Sequence, residues 1–164
     1  MFDVDRISFR PSSGGDSRDA FVIDAPDWIN VIPLTDDRQV VLVRQFRFGV
    51  ERVTLEIPGG MCDPGEAPEA AARRELAEET GYQARELRPL GSVEPNPAIQ
   101  SNRCHTFLAL GAFPAGPPRP DPGEELELTT VPLDAIGGLI ADGSITHSLV
   151  VSAFKLLDVR EADR

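Results

Sequence analysis

Glu75, Glu78 and Glu79 stand three and four positions apart in a stretch rich in Ala, Glu and Arg. On a helix those offsets bring the three carboxylates to one face, where they repel one another. Helix stability alone favours acid-to-base pairs at such spacings. The cluster also falls toward the C-terminal end of the stretch, where the backbone dipole opposes further negative charge. A hard divalent cation relieves both penalties, because Mg²⁺ takes oxygen ligands and commonly joins one or two carboxylates to substrate phosphates. Arg73 and Arg74 precede the cluster, and either can orient a carboxylate through a bidentate bond. Taken alone, the three acids fit a solvated helix face better, as most charge runs do, so their wider surroundings decide.

The elements that must position them can be read from pattern. Pro68 to Thr80 is predicted as a helix, with Pro in its first turn and Gly81 as its stop. Upstream the chain is strand-like at Val4 to Arg10, Trp28 to Leu34, Val40 to Phe46 and Thr54 to Ile57, the last ending at Pro58-Gly59-Gly60. The unbroken Val-Val-Leu-Val of Val40 to Val43 implies burial on both faces. Downstream, Leu87 to Val93, Cys104 to Leu110 and Leu126 to Val131 read as strands. Pro132 to Ala141 reads as a short helix, and about Ile145 to Val159 as a last one. That last helix would place Ile145, Leu149, Val150, Ala153, Leu156 and Leu157 on one face. Pro11 to Asp16 and the segment Phe113 to Gly123, which holds five prolines, are loops. Strands interleaved with few helices, without regular βαβ alternation, give an α+β fold: a mixed sheet covered by helices on both faces.

Composition narrows the function classes. A chain of 164 residues fits one domain spanning 1–164 and buries a core without disulfides. Cys62 and Cys104 are its two cysteines, read as free thiols in a reducing compartment. The net charge of −11 argues against a nucleic-acid surface. No apolar run long enough to span a membrane occurs, and Met1 to Arg10 lacks the order of a signal peptide, so a cytoplasmic protein is expected. Walker-type and dinucleotide-binding glycine motifs are absent. His147 falls near the start of the last helix and has no evident partner.

The stretch Gly60 to Tyr82, GMCDPGEAPEAAARRELAEETGY, resembles the Nudix box, G-x5-E-x7-R-E-U-x-E-E-x-G-U with U bulky and apolar. Gly60, Glu66, Arg74, Glu75, Leu76, Glu78, Glu79 and Gly81 occupy its positions, and Tyr82 stands where an aliphatic residue is usual. At roughly 5–8% per residue type, the seven fixed positions match by chance on the order of 10⁻⁹ to 10⁻⁸ per start site, which sets aside the solvated face. The resemblance implies a Nudix-type α/β/α sandwich with a loop–helix–loop metal site. It implies Glu75, Glu78 and Glu79 as ligands of Mg²⁺ or Mn²⁺, with the Gly59 carbonyl joining them. It also implies Arg74 as the residue that positions a glutamate, and Glu66 as a brace of the loop.

Val43-Arg44-Gln45-Phe46-Arg47 and Leu55-Glu56-Ile57-Pro58-Gly59-Gly60 resemble the ADP-ribose and nucleoside-diphosphate-sugar branch of that family. This likeness implies Arg47 as a contact of the substrate diphosphate, with Glu56 assisting. Asn96-Pro97-Ala98-Ile99-Gln100-Ser101-Asn102 stands where that branch usually carries Ser-Pro-Gly. Asn96, Gln100 and Asn102 there either hydrogen-bond a sugar or base, or cap the loop. Glu124 aligns best with the family's catalytic base, and its neighbour Glu125 is the alternative. The implied activity is hydrolysis of a nucleoside diphosphate linked to a sugar, giving a nucleoside monophosphate and a sugar phosphate. A triphosphate-cleansing pyrophosphatase and a non-catalytic nucleotide-sugar sensor are the competing readings. The branch further implies a homodimer built with the N-terminal strands, about residues 1–34. The run Trp28 to Val31 suits either that interface or an internal strand.

Overall fold

The computed structural model describes residues 2–120, 123 and 125–162. An N-terminal ribbon pairs β1 (Asp3–Phe9) with β2 (Arg18–Asp24) in antiparallel register, Asp3 opposite Asp24 and Phe9 opposite Arg18. The main sheet follows, with β3 (Trp28–Leu34), β4 (Gln39–Arg47), β5 (Arg52–Glu56) and β6 (Gly59–Met61). Helix α1 (Pro68–Thr80) leads into β7 (Tyr82–Val93), β8 (Cys104–Pro114) and β9 (Leu126–Pro132). A single 3₁₀ turn at Leu133–Ala135 runs into α2 (Ile136–Ala141), and α3 (Ser148–Ala162) closes the described chain.

The sheet order is β5-β4-β3-β8-β7, with β6 on β3 and β9 on β4. It is mixed: β3 and β8 run parallel from Trp28–Cys104 to Leu34–Leu110, and the other pairs are antiparallel. β3 and β4 share one registered pair, Leu34 with Val40. Beyond it they diverge: β6 takes the free edge of β3 at Trp28 to Asn30, while β4 continues along β5 and β9. The resulting cleft in the sheet holds the site described below.

Side-chain alternation along β3 divides the core in two. Ile29 and Val31 pack with Ala71, Ala72 and Leu76 of α1. Ile32 and Leu34 pack with Val150, Ala153, Phe154 and Leu157 of α3 and with Ile136 of α2. Val40 to Val43 are all buried, so helices do cover both faces as the sequence pattern required. The run Trp28 to Val31 is an internal strand, buried from Ile29 onward; the alternative that it forms an interface between copies is therefore corrected. Both cysteines are free and buried. Burial pushes the Cys104 thiol up to about 12 and raises that of Cys62, so neither is a thiolate. No helix among the described residues is long and apolar enough to cross a membrane.

Candidate active site

Helix α1 carries the acids into the cleft. Pro68 opens it with a φ already suited to helix, and Gly81 ends it in the left-handed region at φ 71°, its N–H bonded to the Ala77 carbonyl. The helix buries Ala71, Ala72 and Leu76 against β3, and Glu75 and Glu79, beside them on the same face, reach Gly60 and Gly59 of β6. Glu79 is 4% exposed, in the last turn, where the dipole disfavours it. Its Oε2 accepts the Gly59 N–H at 3.0 Å, which ties the end of α1 to the start of β6.

Arg74 organises the other acids. Its Nε and Nη2 bond Glu66 at 3.1 and 2.9 Å, and its Nη1 bonds Glu75 at 2.8 Å and Glu78 at 3.1 Å. Nη2 also donates to the Met61 carbonyl at 3.0 Å. These carboxylates, Glu66 foremost, raise the guanidinium pKa further above its ordinary value. Glu66 in turn accepts the Asp63 N–H at 3.0 Å, and it is held below the ordinary carboxylate value chiefly by Arg74. It braces the β6–α1 loop through these bonds.

A cavity of about 630 Å³ occupies the cleft. One wall is Asp63, Arg74, Glu75, Glu78 and Glu79 with Gly59, Gly60 and Met61; the facing wall is Gln45, Arg47, Thr54 and Glu56 from β4 and β5. Trp28 and Asn30 form the β3 side, and Thr146, His147 and Leu149 enter from the turn before α3. Glu56 is 2% exposed. Arg47 grips it bidentately, Nε to Oε1 at 2.9 Å and Nη2 to Oε2 at 2.7 Å, and the Thr54 hydroxyl donates to Oε1 at 2.6 Å. Burial raises the Glu56 pKa, but the bonds from Arg47 and Thr54 outweigh burial and hold it below the ordinary value. Glu56 therefore stays ionised in a dry position and fixes the plane of Arg47.

The all-oxygen donor set of Glu75, Glu78, Glu79 and the β6 backbone fits a hard divalent cation. A cradle supports it: a β-carbon at Gly60 would sit on the Glu75 carboxylate, so the missing side chain is what admits that group. Among the described residues, however, no three acidic, histidine or cysteine side chains converge as a ready-made cage. Glu75 and Glu78 meet on Arg74, and Glu79 meets the Gly59 N–H.

Three sequence-based candidates lie off the cavity: Asn96, Gln100 and Asn102. The Asn96 carbonyl accepts the N–H groups of Ile99 and Gln100, and Gln100 forms a bridge with Ile23 of the ribbon. Asn102 is 2% exposed and donates to the Pro26 carbonyl. Their place is loop capping and docking of β2; none lines the cavity. Glu125 is exposed just ahead of β9, whose Leu126 pairs with the cavity residue Gln45. Glu124 lies outside the described residues. Thr54, Thr146 and the cavity position of His147 had no local signal, because tertiary contacts bring them in.

The NUDIX domain model matches residues 27–154. The chain belongs to the NUDIX family. Among its Nudix relatives is an ADP-ribose pyrophosphatase of Bacillus subtilis, 32% identical over 86% of this chain and 77% of the relative. An ADP-sugar pyrophosphatase of Mus musculus is 34% identical over 79% of this chain and 66% of its own length. A crystal structure of an ADP compounds hydrolase superposes with a TM-score of 0.84 at 29% identity, covering 98% of this chain and 85% of that one. The Nudix fold expected from the box is thus the fold observed.

Proposed function

We propose that this Nudix pyrophosphohydrolase cleaves the diphosphate of ADP joined to a sugar, with ADP-ribose as the type substrate, releasing a nucleoside monophosphate and a sugar phosphate. The observation that carries the reading is the cavity that sets the acidic end of α1 against the Arg47–Glu56 wall. The names of the relatives support the same substrate class. Glu75, Glu78 and Glu79, with the Gly59 carbonyl, would hold Mg²⁺ or Mn²⁺. When bound, the cation supplies charge neutralisation for the diphosphate and acidifies water.

The chain's own groups do the rest. Arg47 presents a planar guanidinium to the diphosphate, its orientation fixed by Glu56. Arg74 holds Glu75 and Glu78 in register. Glu124, or Glu125 beside it, removes the proton of the attacking water. The domain spans 1–164 and works as a homodimer. The exposed apolar residues Val4, Ile7, Phe9 and Phe21 on the ribbon support that assembly, because a lone two-stranded ribbon is marginal in water.

The test is a panel of ADP-ribose, other nucleotide sugars and nucleoside triphosphates with Mg²⁺, scored by product identity. ADP-ribose turned over to AMP and a sugar phosphate supports the reading. Turnover confined to triphosphates, or none at all, overturns it in favour of the cleansing or sensor role.

A further inference from the structure

One imidazole in the cavity takes no part in the roles above. His147 is half-buried in the turn between α2 and α3, and it lines the cavity with Thr146 and Leu149. Its Nδ1 accepts the Leu149 N–H at 3.3 Å, and its carbonyl accepts the Val151 N–H at 3.0 Å. His147 thereby caps α3 with side chain and main chain together. A ring nitrogen that accepts carries no hydrogen, so in this tautomer the hydrogen sits on Nε2. Among the described residues nothing bonds that nitrogen.

The turn is fixed from three sides. Arg52 Nη2 donates to the Thr146 hydroxyl at 2.9 Å, Asn30 Nδ2 donates to the Leu149 carbonyl at 3.1 Å, and Ile145, 2% exposed, donates its N–H to the Leu139 carbonyl at 2.8 Å. The donor is therefore preorganised and costs little ordering on binding. Glu56, which lines the same cavity, is already engaged by Arg47 and Thr54 on both oxygens. The Nε2–H is thus not needed to satisfy the protein.

We propose that His147 is a specificity-determining residue whose Nε2–H hydrogen-bonds an oxygen of the sugar that the substrate carries beyond its diphosphate. The inference rests on the ADP-sugar reading. The diphosphate is matched by Arg47 and by the cation the acidic wall would hold, whereas a single N–H of fixed direction suits a hydroxyl or ring oxygen. Such a donor discriminates, because an analogue lacking the oxygen leaves a polar group unpaired.

The test compares ADP-ribose with the β-methyl ester of ADP, which keeps the diphosphate and lacks the sugar. His147→Asn keeps an acceptor for the Leu149 N–H and removes the distant donor. It raises KM for ADP-ribose about three- to tenfold, the worth of one neutral hydrogen bond, with kcat and thermal stability little changed. KM for the methyl ester does not move. His147→Gln, whose amide reaches the Nε2 position, recovers part of the loss. If the Asn variant does not fold, His147→Ser, another capping residue without the far donor, carries the same expectation. An unchanged preference between the two substrates in a folded variant overturns the role of His147 alone. A wild-type protein that hydrolyses neither compound overturns the substrate reading and this inference with it.

Discussion

Gly59→Ala and Gly60→Ala add the same methyl group one residue apart, and the structure separates their effects. A β-carbon on Gly60 would lie 2.5 Å from Glu75 Cδ and 2.9 Å from Oε2, and closer still to Oε1. Every one of those atoms ends a flexible side chain, so Glu75 can swing away. On Gly59 the β-carbon would meet the Ile29 carbonyl oxygen, with Asn30 Oδ1 at 2.8 Å and Asn30 Cα at 3.3 Å. Ile29 and Asn30 belong to β3, paired on both edges, and that backbone has nowhere to move. Overpacking of this kind costs about 1–3 kcal/mol. For a chain of this size each kcal/mol lowers Tm by about 2–4 °C, so Gly59→Ala should lose several degrees. At Gly60 the smaller unfolded-state entropy of Ala returns about 0.4–1 kcal/mol, and Tm should stay within about 2 °C of wild type. Activity falls in both. In Gly60→Ala it falls because Glu75 leaves its place on Arg74, and a displacement of about 1 Å in such a site costs on the order of 100-fold. Thermal unfolding and kcat/KM measured on the same preparations decide the matter. Wild-type turnover in Gly60→Ala, or a larger Tm loss there than in Gly59→Ala, would refute the reasoning.

Glu79→Gln keeps the shape of a buried side chain and its acceptor for the Gly59 N–H; it should abolish Mg²⁺-dependent hydrolysis with the circular dichroism spectrum unchanged, and retained turnover would exclude Glu79 from the site. Glu124→Gln should slow turnover with little change in substrate binding by calorimetry, and if it does not, Glu125→Gln should. Glu56→Gln weakens the grip on Arg47 and should destabilise the protein at pH 7 by about 1–3 kcal/mol. Because the folded pKa of Glu56 is depressed below its ordinary 4.5, its contribution is fully present above that value and is lost as pH falls through the lower folded value. The gap in urea midpoint between wild type and Glu56→Gln should thus be constant above about pH 5.5 and close below 4.5; a gap that persists to pH 2 would contradict the ion pair.

Helix α1 and strand β3 were legible to the residue because each carries its own punctuation: Pro68 and Gly81 bound one, and an apolar run before Thr35 and Asp36 bounds the other. The i, i+3, i+4 spacing of the three glutamates likewise needs no tertiary information. β2 escaped notice because a two-stranded ribbon that is mostly exposed has no core face to impose alternation. β6 is Gly-Gly-Met, a strand only through its pairing with Trp28 to Asn30. β7 begins at Tyr82, five residues before Leu87, since Gln83 to Glu86 are held by β8 and not by their own apolarity. Ile145 packs in the core ahead of α3, so its burial makes the helix expected from sequence start three residues early, and Phe154 joins the buried face beside the expected residues. The facing wall of the cavity could be only partly foreseen. Arg47 and Glu56 are visible as motif residues, but Thr54 and His147 join them in the cavity by folding alone. Asn96 and Gln100 lie in a loop off the cavity, tied there by backbone bonds, and the sequence alone does not separate an amide in such a loop from one that reads a ligand.

Arg74 has a further meaning for how the protein matures. One guanidinium lies within 4.0 Å of four acids, Asp63, Glu66, Glu75 and Glu78. It is a cation already attached to the chain, present at very high local concentration from the moment the helix forms. The acidic end can therefore fold before any free ion reaches it, and a divalent ion held there would have to take carboxylates from a tethered monovalent cation. Stripping the ion would then silence the enzyme without unfolding it, and the site could be emptied and refilled on a scaffold that stays intact.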